Sequence, residues 1–397
     1  MSLTIVAAVL ALLTTGITSL ISHPLTMLGG AAASVGFVAL GLLSRGARIH
    51  PGYVVAPPIM LLLVLISSEH NISPVSSTIH LLSCYVAFLG LAGTFPEFFD
   101  VCQRVCLLTY LVLVAMVLGQ TLQTGAISSW SVKGAAGTGN LMAAQLNMTM
   151  PLMLLMAGES EGIRRIFLRG LVGLGMLSVV FVGSRNGIGS LLILITLASL
   201  FHHRKLAFLL CSVITLCLVF SQELLETRPV MALLARFRFV GYQASRPRSQ
   251  IWSVSLDFIR ESPWLGIGPG ETDRALEVLD VNHAHNNYLQ TSLESGLPVG
   301  LMMCLLVAGL LNIPFTAALT SRRAFLLSLS IVAYVVQSLT EASVHLPQQT
   351  LLLVFCTNLA RLAIPAGQPS IPAGQPSLRS RDPAQATAFR RAEYRPG

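Results

Sequence analysis

The residues best equipped for chemistry gather at 283–290, where His283, Ala284, His285, Asn286, Asn287, Tyr288, Leu289 and Gln290 follow one another. An imidazole exchanges a proton near neutral pH, so His285 is a candidate general base. A histidine at a membrane boundary also serves simply to cap a helix or meet lipid headgroups, but His283, Asn286 and Asn287 beside it add weight to the chemical role. Arg185 is the second candidate. It sits among Gly183, Ser184, Asn186 and Gly187 in a short turn between two apolar stretches. Its guanidinium is permanently charged and matches phosphate bidentately, and the competing role is snorkelling to headgroups. A third group is the set Arg228, Arg236, Arg238, Arg246, Arg248, Arg260 and Arg274, with acids concentrated later in the same segment. Arg248, just before Trp252 at a predicted helix start, is the preferred phosphate ligand, with Arg246 in support; salt bridges or anionic lipid are the alternatives for each.

Other chemistries are poorly represented. Glu271 and Asp273 are the one acidic pair at that spacing in the polar segment, without the histidine cluster of an ordinary metal site. Residues 263–270 (PWLGIGPG) read as a turn that fits neither the dinucleotide nor the P-loop pattern, and no strand precedes it. The seven cysteines lie in or beside apolar runs, which leaves a disulfide framework and a zinc site unsupported. Neither a metal nor a nucleotide cofactor is expected.

The elements that must position these groups are apolar helices. Of 397 residues, 53% are hydrophobic and only 11% charged, with mean hydropathy +0.72, against about 25% charged in soluble domains. Spans are predicted near 2–22, 25–43, 53–68, 76–95, 104–122, 139–157, 166–183, 187–201, 206–222, 288–320, 324–340 and 348–363. The fold expected is an all-α polytopic membrane protein of about twelve transmembrane helices. Residues 1–222 hold the first nine and 288–363 the last three. Between them, 223–287 forms a partly helical loop, and 364–397 is a disordered tail carrying a tandem IPAGQPS repeat. The first run, Leu3 to Ile21, lacks a basic n-region and is read as a retained span. The tenth contains Pro298 and Pro314, which predict a break or kink.

Basic residues orient the bundle. Arg45, Arg48, Arg104, Arg164, Arg165, Arg169, Arg204, Lys205, Arg322, Arg323 and the tail arginines fall on alternate connections, and the opposite short connections hold only Lys133 and Arg185. Both termini are therefore expected in the cytoplasm, with the 223–287 loop and His285 outside. The formal charge of +8 follows from this topology, so membrane lipids are expected partners and nucleic acid is not. Within the loop, the helical spacing of Ile251, Val254, Ser255, Phe258 and Ile259 suggests an amphipathic helix over 249–260 lying at the membrane interface, and 271–280 reads as a second short helix. A lipid or solute transporter, the distant alternative, would carry ionisable groups near span centres, where none is found.

Taken together, the Ser184–Gly187 turn after a span, Arg248 with Trp252, the 263–270 turn, and His285 to Gln290 followed by Glu294, Ser295 and Gly296 resemble the O-antigen ligase and polymerase superfamily. His285, Asn286, nine further residues and Gly296 match the spacing of its ligases. Val299 stands where their pattern has a small residue, and Gly300 comes one position later. The resemblance implies a metal-independent, inverting glycosyltransferase of the bacterial inner membrane with a periplasmic active site. Its donor would be a glycan on undecaprenyl pyrophosphate and its acceptor a sugar hydroxyl of lipid A–core. It further implies His285 as base, Arg185 and Arg248 on the pyrophosphate, and His283, Asn286 and Arg246 in support. A polymerase or a protein O-oligosaccharyltransferase of the same superfamily is the near alternative.

Overall fold

A computed structural model describes residues 3–15, 23–44, 46–124, 139–182, 184–202, 248–341 and 347–365. The predicted span at 206–222, Arg246 and the tail repeat lie outside the described residues. Those described are mostly helical. Helices α1 (Leu3–Thr15), α2 (His23–Leu42), α3 (Pro51–His70), α4 (Val75–Ala87), α5 (Phe99–Thr124), α6 (Gly139–Glu159), α7 (Gly162–Val182) and α8 (Arg185–His202) make the first group. Then come α9 (Arg248–Glu261), α10 (Thr272–Ala275), α11 (Asn287–Ser295), α12 (Leu297–Thr320), α13 (Arg322–Ser338) and α14 (Pro347–Leu362). One two-residue ladder joins β1 (Arg48–Ile49) antiparallel to β2 (Gly93–Thr94), with Arg48 opposite Thr94.

Among the described residues six helices are long and apolar enough to cross a membrane: α3, α4 with its 3-10 extension to Ala92, α5, α6, α7 and α12. Within α1, α2 and α8 the stretches Ile5–Thr14, Leu28–Leu42 and Asn186–Ser199 are shorter apolar ones. Helices α13 and α14, at 17 and 16 residues, carry buried polar groups such as Ser328, Ser330, Gln337, Thr350 and Asn358, which lower their hydropathy. Helix α14 is buried on every side from Leu351 to Ala360, as a helix at the centre of a bundle must be. It packs on α13, α5, α2 and α4. Polar pins hold its far end: Asn358 accepts from the Phe95 backbone N–H (2.8 Å) and donates to the Phe95 carbonyl (3.3 Å). Arg361 donates to the Leu91 carbonyl at 2.8 Å.

The tenth predicted span is two helices. Gly296, at φ +86, ends α11, and Pro298 opens α12 in its first turn, where a missing N–H costs nothing. Pro314 lies inside α12, which continues past it. Helix α9 forms where the amphipathic pattern predicts, and it buries Ile251, Ser255 and Ile259 along one stripe. Ile251 joins Leu276 and Leu279 in a small satellite core. The second predicted loop helix is interrupted: α10 is a single turn, and a 3-10 turn over Glu277–Leu279 ends at Asp280 with φ +55.

Candidate active site

The site centres on a residue that no local motif announces. Glu341 lies just beyond α13, its N–H bonded to the Gln337 carbonyl at 3.0 Å, and its side chain is 14% exposed. Carboxylate Oε1 accepts from the Asn140 amide and lies 3.6 Å from Arg248 Nη2. The other oxygen, Oε2, lies 3.5 Å from His285 Nδ1 and 3.9 Å from His283 Nε2. One carboxylate thus faces a guanidinium and an amide on one side and two imidazoles on the other. The imidazole rings stand 4.0 Å apart between centroids.

His285 precedes α11 and has φ +50. For a residue with a Cβ that left-handed conformation costs roughly 1–2 kcal/mol, and it persists because both neighbours are tied down. The Ala284 carbonyl accepts from Trp252 Nε1 at 3.1 Å, and the Ala284 N–H donates to Gln290 Oε1 at 2.7 Å. Asn286 caps α11, its Oδ1 accepting from the Tyr288 and Leu289 N–H groups at 2.9 and 3.0 Å. Its amide donates to the Leu339 carbonyl at 3.0 Å, next to the chain end that carries Glu341. Asn286 is therefore a clamp between the histidine loop and the end of α13. His283 has its own partner, with Nδ1 donating to Asn282 Oδ1 at 2.5 Å.

Helix α11 is short, polar and buried. Gln290 extends the network by donating from Nε2 to Glu294 Oε1 (2.5 Å) and Thr272 Oγ1 (2.9 Å), and Thr272 donates to the same carboxylate oxygen at 2.7 Å. Burial dominates over these donors and pushes the Glu294 carboxyl up to about 7. The 263–270 turn explains itself here. The Ile267 and Gly268 N–H groups are spent on the Leu293 and Glu294 carbonyls (2.8 and 3.1 Å), and Leu297 N–H bonds the Pro263 carbonyl at 2.8 Å. This turn caps the C-terminal end of α11 and leaves those amides unavailable to phosphate. The approach is close enough to require glycine, since a Cβ on Gly296 would stand 2.1 Å from the Trp264 carbonyl oxygen.

Arg185 opens α8, and its side chain lies outside the described part of the structure. The turn around it is defined. Ser184 Oγ accepts from the Gly187 N–H at 2.9 Å, as an N-cap does, and donates to Asn140 Oδ1 at 2.7 Å. Asn140 passes this on to Glu341 through its amide, and its own carbonyl accepts from Gln337 Nε2 at 3.1 Å. Asn147 bonds the Gly187 carbonyl at 2.8 Å. The Arg185 turn, Arg248, His285, His283 and Asn286 therefore converge on the end of α13. The starts of α6, α8, α9 and α11 meet there, and helix N-termini favour anions.

Glu341 and Asn140 escape sequence reasoning. An acid at the end of an apolar helix reads as an ordinary interfacial charge, and an asparagine at a helix start as a cap. No curated protein matches the chain. Residues 170–304, which hold Arg185, Arg248, His285 and Gly296, match the family model described as O-antigen ligase, and that match supports the resemblance to the O-antigen ligase superfamily.

Proposed function

We propose that this membrane enzyme is an O-antigen ligase-like glycosyltransferase, moving a polysaccharide from undecaprenyl pyrophosphate to a sugar hydroxyl of lipid A–core. The reading places it in the bacterial inner membrane as a twelve-span protein with both termini cytoplasmic and the site facing the periplasm. The observation that carries it is the meeting of His285, Glu341 and Arg248 within 3.6 Å contacts. Glu341 Oε2, 3.5 Å from Nδ1, would take a hydrogen bond from Nδ1 as the pair closes on substrate, which leaves Nε2 as the free nitrogen. That nitrogen takes the acceptor hydroxyl proton as its oxygen bonds the anomeric carbon. The bond from that carbon to the phosphate oxygen breaks, and undecaprenyl pyrophosphate leaves with the electron pair. A single displacement of this kind inverts the anomeric centre.

Arg248, drawn from Glu341 to the donor, and Arg185 would hold the pyrophosphate and neutralise charge developing on it. The converging helix starts would add partial positive charge. Pyrophosphate is already a good leaving group, so the reading invokes neither metal nor nucleotide. His283, Asn286 and, from the neighbouring segment, Arg246 are supporting residues.

A second reading is a polymerase or protein O-oligosaccharyltransferase, which differs in acceptor. It is favoured by Val299, which is fully buried where the ligase pattern has a small residue, whereas Gly300 is the position packed on Ser292 Oγ. The test is reconstitution with a lipid-linked glycan and lipid A–core. His285→Ala and Arg185→Ala are expected to abolish transfer at normal membrane levels, and full activity in either overturns the mechanism. In a deletion strain, polymerised donor retained on its carrier marks a ligase, whereas chains of at most one repeat mark a polymerase.

A further inference from the structure

We infer that His283, His285 and Glu341 form a binding site for a zinc-class divalent ion, and that an ion bound there blocks the transferase by occupying the base. The blocking half rests on the proposed role of His285, whereas the binding half rests on geometry alone.

Three ligand atoms, His283 Nε2, His285 Nδ1 and Glu341 Oε2, lie within 4.8 Å of one another. The two measured approaches to Oε2 are 3.5 and 3.9 Å. Metal–ligand bonds of about 2.0–2.2 Å in a tetrahedron put ligand atoms roughly 3.3–3.5 Å apart, so the two histidine–carboxylate separations already nearly fit, and the two imidazole nitrogens need approach by at most about 1.5 Å. Two imidazoles and one carboxylate are a donor set that suits zinc and disfavours magnesium, which prefers oxygen.

The surroundings fit as well as the three atoms do. His283 Nδ1 donates to Asn282 Oδ1, which fixes the tautomer with a lone pair on Nε2 facing the cage. The opposite oxygen of Glu341 is held by Asn140 and Arg248, leaving Oε2 turned towards the histidines. His285 Nδ1 is buried and makes no hydrogen bond, an unmet demand that a cation satisfies. Arg248 opposes the ion electrostatically, so its neutralisation should tighten binding.

The blockade follows from the imidazole's two nitrogens. Neutral histidine has one lone pair in the ring plane. An ion on Nδ1 consumes it and leaves the proton on Nε2, the atom that must be bare to accept a proton from the acceptor sugar. Metal and acceptor chemistry therefore exclude each other at His285 without competing for the same space.

The test uses full-length protein purified in detergent with a non-histidine tag, stripped with EDTA, then dialysed against zinc chloride or magnesium chloride. Bound metal is counted by mass spectrometry, and affinity is read by calorimetry. About one zinc and no magnesium per chain is expected. His283→Ala, at a partly exposed position, should weaken zinc binding at least about tenfold, Glu341→Gln likewise, and Arg248→Gln should strengthen it. In the reconstituted assay, zinc should stop transfer by the parent protein, EDTA should restore it, and whatever activity His283→Ala retains should resist zinc.

Substoichiometric zinc, or equal binding by parent and His283→Ala, overturns the site. Stoichiometric zinc with unimpaired transfer overturns the blockade. Stoichiometric, His283-dependent zinc in a protein that transfers no glycan under any condition upholds the site and sinks the transferase reading instead.

Discussion

Glu341→Gln isolates what the carboxylate does. The amide keeps the shape and retains an oxygen for Asn140, but it removes the negative charge 3.5 Å from His285 Nδ1 and 3.6 Å from Arg248. As His285 takes the acceptor proton, its ring becomes cationic beside that charge. Two unit charges 3.5 Å apart are worth roughly 5 kcal/mol at an effective dielectric of about 20 and roughly 1 kcal/mol in water. The Glu341 and His285 side chains are 14% and 22% exposed, so the interaction falls between these limits. With the proton part-transferred, about 2–3 kcal/mol of transition-state stabilisation is at stake, or roughly 30- to 150-fold in kcat. Donor KM should fall or stay put, because Arg248 loses its competing partner. Steady-state kinetics on reconstituted protein separates the two parameters, with thermal unfolding confirming a folded variant. A kcat within about threefold of the parent, or a raised donor KM with kcat intact, would refute the proposed pairing.

Two further predictions concern the scaffold. Gly296→Ala puts a Cβ 2.1 Å from the Trp264 carbonyl oxygen at φ +86, ψ 164, a region nearly confined to glycine. It should cost at least about 2–4 kcal/mol and lower the unfolding midpoint in detergent, whereas Gly36→Ala, with open space around its Cβ, should not; equal midpoints would disprove the capping role of the 263–270 turn. Glu294, with its carboxyl pushed up to about 7 by burial from an ordinary 4.5, binds its proton more tightly folded than unfolded. Its stabilisation is therefore complete below pH 4.5 and is lost as pH rises through about 7, an order-of-magnitude difference of about 3 kcal/mol. Unfolding midpoints from pH 5 to 8 should fall more steeply for the parent than for Glu294→Gln, and parallel profiles would remove Glu294 as the cause.

What the sequence makes legible follows from how each feature is encoded. Apolar runs report helices directly, because the backbone of a membrane segment has to bond within itself, and described helices lie on the predicted spans outside 206–222. The amphipathic stripe of α9 is local in the same sense, and so is the cluster of His283, His285 and Asn286 where a polar segment meets an apolar one. His285 and Arg248 can be picked out by type and position, and the structure brings both to one carboxylate. Tertiary pairings are encoded differently. Glu341 and Asn140 acquire their roles only because the end of α13 meets the starts of α6, α9 and α11, and no spacing along the chain carries that information. The glycines of 263–270 are visible as a turn, but their purpose depends on carbonyls of Leu293 and Glu294 that they meet across a fold. The same distinction explains Gly300. A small residue is required where α12 passes Ser292, and helix register decides which position faces it. The one-residue offset from the ligase pattern at Val299 is thus a question of how α12 is rotated against α11. A Val299→Gly, Gly300→Val exchange tests that rotation directly, by whether acceptor choice changes or folding simply fails.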